Sequence, residues 1–384
     1  MRTEYQELID EVCALLGAPA TLEGRDFGLI AYGAHDSADE GALDPVRTRS
    51  ILRRRSTAAV REWFEGFGIA RAKAPVRIPP DPAAGVLTGR LCLPVRHGGV
   101  GYGYIWLLDD GALALDDPRL AAAAAAAERI GALLAEEARA GARLGELLRE
   151  ALTSSPASSP GHLAALAEAL GPAAEGRLRL LAATGWEATR DVPTGLHGAL
   201  AACTLPATAP AAPPGGREAA WRVVAVLARE AAARAVAGRL HAEGARVGIG
   251  GARPGVDALA EAWREALAAA RSAEAAARFR GVAEWEGLGA YRMLTALPAA
   301  RPDPAVRPLL RGEHRELART AEVFLDRAGH AGQAAAALGI HRQTLYYRLG
   351  RVERLTGLSL DEGEDRLLLH MSLKAARLGP PPRD

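Results

Sequence analysis

The sequence predicts a multidomain protein with an α/β N-terminal domain, an α/β middle domain and an all-α C-terminal domain built on a helix-turn-helix. Three observations carry this. Two strand-like runs flank a Gly-Gly turn before residue 110. A long helical stripe opens at Asp117-Pro118 and closes at a Ser/Pro-rich loop. Near the C-terminus an alanine-rich helix, Gly339 and an arginine-bearing helix follow one another. A chain of 384 residues is long enough for two or three domains. Charged residues make up 24% and hydrophobic ones 49%, which excludes a disordered or fibrous class.

Residues 1–116 read as mixed α/β. A first helix over about Glu4–Leu16 aligns Leu8, Ile9, Val12 and Leu15, and Phe27–Tyr32 reads as a strand. Arg47–Phe67 is predicted helical, with Ile51, Leu52, Val60, Trp63 and Phe64 on its apolar face. Gly89–Val95 and Tyr102–Leu108, joined through His97-Gly98-Gly99, are a hairpin signature. A helix-flanked antiparallel sheet with such a hairpin resembles a GAF-type sensor, which implies a small-molecule effector of unknown identity.

Residues 117–152 are predicted as one connecting helix, with Pro118 in the first turn where proline is tolerated. Leu120, Ile130, Leu134, Leu144, Leu147 and Leu148 form its stripe. Such a helix reads as a homodimer connector or as a helix packed on its own domain. Thr153–Gly161 is a loop. In residues 153–300, strands are expected at about Leu178–Ala183, Trp221–Leu227, Arg246–Gly250 and Val282–Trp285. Helices are expected at Asp257–Ala270 and Leu288–Leu294, and Leu205–Gly216 is a surface excursion.

Residues 309–378 form the all-α domain. Leu317, Thr320, Ala321, Phe324 and Leu325 share the apolar face of a helix that ends near Gly329. Then Ala334, Ala335 and Ala336 are small enough to admit a second helix, and Gly339 tolerates the positive φ of a tight turn. Leu338 and Ile340 flank that glycine, and Leu345, Leu349 and Val352 continue one buried stripe. This leaves Gln343, Tyr346, Tyr347, Arg351 and Arg354 outward, with Arg342, Thr344 and Arg348 on the flanks. Gln pairs with adenine and Arg with guanine, while Thr, Tyr and Arg hold phosphates. The expected partner is therefore double-stranded DNA, with Gln343, Tyr346 and Tyr347 at base edges, Arg342 beside them, and Arg348, Arg351 and Arg354 on phosphates. His341 opens the helix as a phosphate contact or a cap. The alternative is a solvated arginine-studded helix. Leu367, Leu368, Met371, Leu373 and Leu378 suggest a closing helix.

His341-Arg-Gln-Thr-Leu-Tyr-Tyr-Arg-Leu349, followed by Val352-Glu-Arg-Leu-Thr-Gly-Leu358, resembles the C-terminal domain of PucR/CdaR-type bacterial regulators. Gln343 stands where that family usually has Asn, with the same amide chemistry on a longer stem. Val247-Gly-Ile-Gly250 and Leu288-Gly-Ala-Tyr-Arg292 resemble the GGDEF-like domain that precedes it in such regulators. The Gly-Gly-Asp/Glu-Glu-Phe signature is missing, and with it the acidic metal ligands that cyclisation needs. The resemblance implies a ligand-responsive transcription regulator that reads a palindromic operator as a homodimer. A non-DNA-binding adaptor and a nucleotide-handling enzyme are the alternatives.

Other motifs are read as structural. In Gly248-Ile-Gly250-Gly251 the third glycine of a dinucleotide loop falls on Arg253, so a strand-to-helix turn is expected. His97–Gly99 and Asp109-Asp110-Gly111 read as turns, and Arg53-Arg-Arg55 as a solvated face with an anion or DNA contact as the alternative. Nine dispersed histidines and three distant cysteines give no metal spacing. No cofactor, metal or catalytic residue is expected. The scattered cysteines, the N-terminus without an apolar core and the short Ala121–Ala127 run lead to an expected cytoplasmic, non-membrane location. The net charge of +1 excludes a uniformly basic nucleic-acid coat but leaves room for a local basic helix.

Overall fold

The structure, a computed structural model, describes residues 2–33, 51–52, 58–109, 111, 113–155, 158–187, 189–190, 192, 196–206, 221–296 and 302–378. The chain divides into two compact units, Met1–Arg143 with Pro193–Leu196, and Leu144–Val192 with His197–Asp384. Arg53–Arg55, Asp110 and most of the 205–216 excursion lie outside the described residues.

The first unit holds α1 (Arg2–Leu16), β1 (Ala20–Gly24), β2 (Leu29–Tyr32), α2 (Ala58–Glu65), β3 (Val76–Ile78), β4 (Arg90–His97) and β5 (Val100–Leu108). The sheet order is β2-β1-β5-β4-β3, and every pair is antiparallel. The β4–β5 turn is the expected hairpin, and Gly98 (φ 55°) and Gly99 (φ 82°) supply the two left-handed residues that match strand twist. Asp109 and Gly111 form a turn as expected, the Asp109 carboxylate accepting from the Gly111 N–H at 2.9 Å and from Arg77 Nε at 2.5 Å. One sheet face packs against α1 and the start of α3 (Pro118–Thr153), through Ile9, Val12, Leu22, Leu93 and Ile130. The other carries an aromatic cluster of Phe27, Phe64, Tyr104 and Trp106, with Trp63 against it. Strands β1 and β3 were not expected; within the Arg47–Phe67 helix expected from the sequence, Ile51, Leu52 and Ala58–Glu65 are helical among the described residues.

Helix α3 runs through the boundary between the units, close to its expected limits. Its apolar stripe is consumed inside the chain. Leu120, Ile130 and Leu134 pack in the first unit, and Leu144, Leu147 and Leu148 in the second. The intervening Ala138–Arg143 stretch is exposed and has no large apolar side chain.

The second unit begins with α4 (Ser159–Leu170), whose first turn replaces the end of the expected Thr153–Gly161 loop. Then come β6 (Arg177–Glu187), β7 (Ala199–Pro206), β8 (Trp221–Arg229), α5 (Glu230–Ala242), β9 (Arg246–Ile249), β10 (Arg253–Pro254), α6 (Leu259–Ala275), β11 (Val282–Glu284) and α7 (Ala290–Ala296). The sheet order is β11-β9-β6-β8-β7; β6 is antiparallel to β8 and β9, while β11 is parallel to β9. Leu205 and Pro206 are the end of strand β7 and not part of an excursion, and Leu205 is buried. Gly248 lies inside β9, not at a strand-to-helix turn. A Cβ there would meet Ala266 O at 2.0 Å and Ala270 N at 2.2 Å, so glycine lets α6 lie directly on the strand.

The same unit ends in α8 (Arg315–Asp326), α9 (Ala331–Leu338), α10 (Arg342–Thr356) and α11 (Gly363–Leu378). Val306 and Leu309 close their core from the N-terminal side, together with Leu317, Phe324, Leu345 and Leu369. Helix α11 serves two cores. Leu369 and Leu373 enter the helical domain, whereas Leu378 and the half-buried Met371 pack with α6 and α7. Leu367 is 60% exposed and Leu368 36%, so the expected closing stripe is rotated. Among the described residues no helix is long and apolar enough to cross a membrane.

Candidate nucleic-acid interface

Helix α9 ends where the sequence places the turn. Gly339 has φ 67° and ψ 32°, and the Ile340 N–H bonds back to Ala335 O at 3.1 Å while the Gly339 N–H reaches Ala336 O at 3.2 Å. This pairing satisfies the last carbonyls of α9 and redirects the chain into α10. Ala334 and Ala335 are buried at the helix crossing, and Leu345, Leu349 and Val352 fill the core beneath α10.

Burying that stripe turns the opposite face outward. Tyr346 is 61% and Tyr347 63% exposed; His341, Arg342, Gln343, Thr344, Arg351 and Arg354 are exposed as well. Helix α10 carries four arginines and one glutamate, so a chain of net charge +1 concentrates net +3 on fifteen residues.

Three expected site residues take specific positions. His341 is the N-cap residue, with φ −72° and ψ 150°, and its side chain makes no cap hydrogen bond. Arg348 is half-buried and pairs with Glu316 of α8 at 2.8 Å. The Arg342 guanidinium lies against Gly332 at the start of α9.

The far end of α10 is fixed by its own polar groups. Gly357 (φ 72°) closes the helix with its N–H on Glu353 O at 2.7 Å. Glu353 Oε1 accepts from the Leu360 N–H and Asp365 Oδ2 from the Ser359 N–H, each at 2.8 Å. These bonds hold the Gly357–Leu360 segment that joins α10 to α11.

A second charged cluster braces α8 against α11. The buried Glu322 accepts from Lys374 at 2.8 Å and pairs with Arg377. Lys374 also reaches Asp326 at 2.9 Å, and His370 Nε2 lies 2.8 Å from the other Asp326 oxygen. Burial pushes the Asp326 carboxyl up, but the hydrogen bonds from Lys374 and His370 outweigh it and hold the group below the usual range. Burial likewise pushes Lys374 down, and Asp326 and Glu322 overcome it, raising the ammonium above its ordinary value. The sequence offers one signal for this cluster, since Glu322 follows Ala321 on the buried side of an apolar helix and needs a partner there. Among the described residues no group of His, Cys, Asp and Glu is arranged to hold a metal ion.

Residues 317–375 match the family model of the PucR C-terminal helix-turn-helix domain. Over 38 residues the chain is 58% identical to the carbohydrate diacid regulator of Escherichia coli, which covers 10% of each protein. It is 39% identical over 61 residues to the uncharacterized protein YsfB of Bacillus subtilis, 16% of this chain and 17% of that one. The matches thus span less than a fifth of either relative. A solved structure, the regulator of polyketide synthase expression from Bifidobacterium adolescentis, aligns with a TM-score of 0.26 and 19% identity over 61% of this chain and 92% of that chain.

Proposed function

We propose that this chain, whose C-terminal domain is of the PucR/CdaR regulator type, is a sequence-specific DNA-binding transcription regulator. The observation that carries the reading is the outward face of α10, where Gln343, Thr344, Tyr346, Tyr347, Arg351 and Arg354 stand exposed above a fixed core. A helix-turn-helix places such a helix in the major groove, with its N-terminal residues at base edges. Gln343, Tyr346 and Tyr347 are the base-reading set. Arg351 and Arg354 meet phosphates. His341, exposed and without a side-chain cap hydrogen bond, is placed to contact the DNA backbone. The Arg348–Glu316 pair favours a supporting role for Arg348, which fixes the angle between α8 and α10.

Two copies of the chain would place two recognition helices about one DNA turn apart, roughly 34–36 Å, on a near-palindromic operator. The first unit is the sensor in this reading. Its helix-flanked antiparallel sheet supports a GAF-like assignment, and the mostly antiparallel sheet with helices α5 to α7 supports a GGDEF-like middle domain that does not turn over nucleotide. An effector binding the first unit shifts an equilibrium of two states that differ in operator affinity.

A salt series on double-stranded DNA tests the interface. Several phosphate contacts make log affinity fall steeply with log salt, at about 0.9 per contact. A flat response, or no binding, would favour the adaptor reading, and nucleotide turnover by the purified chain would favour the enzyme.

A further inference from the structure

Arg342 is the first residue of α10, yet its guanidinium does not extend over the face formed by Gln343, Tyr346 and Tyr347. It lies back over the opening turn of α9, on Gly332. A Cβ on Gly332 would stand 2.5 Å from Arg342 Nη2, 3.3 Å from Cζ and 3.5 Å from Nε, and these are its three nearest neighbours. Gly332 is not among the residues with positive φ, so its backbone gives no reason for glycine. Gly332 is the second residue of α9, where alanine would serve the helix at least as well. What the missing side chain does provide is the space that Arg342 occupies.

In a helix-turn-helix complex the second helix enters the groove while the first crosses the sugar-phosphate backbone. A cation lying along the opening turn of the first helix therefore faces phosphates and not base edges. We propose that Gly332 is a seat that aims Arg342 at the DNA backbone. Arg342 is then an affinity residue, Gly332 a positioning residue, and base choice is left to Gln343, Tyr346 and Tyr347. This moves Arg342 out of the place beside the base readers that the sequence suggests, and it rests on the DNA-binding reading above.

The test uses the full-length chain, a duplex it selects from a randomised library, and an unselected random-sequence duplex of equal length. Affinities are measured by fluorescence anisotropy across a salt series for wild type, Arg342→Ala, Gly332→Ala and the double variant. Arg342→Ala is expected to weaken both duplexes by a similar factor, roughly tenfold, the scale of one charge-assisted contact. Its salt slope becomes shallower by about 0.9. Gly332→Ala keeps or raises the Tm and yet weakens both duplexes, and adds nothing once Arg342 is gone.

A loss by Arg342→Ala confined to the selected duplex would mean that Arg342 reads a base, and would overturn the proposal. So would a Gly332→Ala effect that persists in the Arg342→Ala background, or a fall in its Tm, since more than Arg342 would then need the space. If wild type binds and neither variant differs from it, the seat alone fails. If wild type binds neither duplex, the DNA-binding reading falls and takes this assignment with it.

Discussion

Glu23 gives the sharpest physical prediction. It sits on β1 with 4% of its surface exposed, and burial pushes its carboxyl up to about 8. The Trp106 indole and the Arg90 guanidinium beside it pull the other way, and Asp26 adds to the rise, but desolvation dominates. In the unfolded chain the group returns to its ordinary value of about 4.5. The folded state therefore binds the proton more tightly than the unfolded state between those two values. Stability contributed by the neutral acid is fully present below about 4.5 and is lost as pH rises toward 8. The difference corresponds to at most about 5 kcal/mol across the whole interval, and to about 2 kcal/mol by pH 6. The perturbation is Glu23→Gln, which keeps the shape and cannot ionise. The assay is urea denaturation of wild type and variant from pH 4.5 to 8.5, taking the difference at each pH so that other titrating groups cancel. The variant is expected to gain on wild type steadily with pH. A difference that stays constant across that range would refute the buried neutral carboxyl.

Three further outcomes are expected. Gln343→Ala should weaken the selected operator by roughly 1–3 kcal/mol and relax base choice at one position, read by competition binding; equal loss on random DNA would remove it from the base-reading set. Glu322→Ala leaves Lys374 and Arg377 without their buried carboxylate and should lower stability by about 2–4 kcal/mol in thermal or urea melts, whereas an unchanged melt would show that the brace between α8 and α11 contributes nothing. Gly248→Ala drives a Cβ into the backbone of α6 and should lose about 3 kcal/mol or more, because Ala266 O and Ala270 N cannot rotate away; a neutral effect would mean that α6 shifts freely on β9.

The parts legible in the sequence are those whose cause is local. Gly339, the alanines before it and the spacing of Leu345, Leu349 and Val352 specify the helix pair without reference to anything distant, and the outward set on α10 follows by subtraction. The β4–β5 hairpin is legible because Gly98-Gly99 encodes its turn. Strands β1, β3 and β7 were missed for the opposite reason. They are short or alanine-rich, and their strand state comes from pairing with distant partners such as β5, β4 and β8. On α11 the expected stripe failed at Leu367 and Leu368, which are exposed, because the helix is oriented by Leu369 and Leu373 in one core and Leu378 against α6 and α7 in another. The Lys374–Glu322 and Arg348–Glu316 pairs were not legible because they join residues 52 and 32 positions apart.

The most direct test of the central claim is to incubate the purified chain with fragmented genomic DNA and sequence what it retains, with the Gln343→Ala/Tyr347→Ala variant as control. Sequence-specific regulation predicts a shared near-palindromic element, its half-sites about 10 base pairs apart centre to centre, that disappears in the variant. Retained fragments with no common element, or the same element retained equally by the variant, would contradict it.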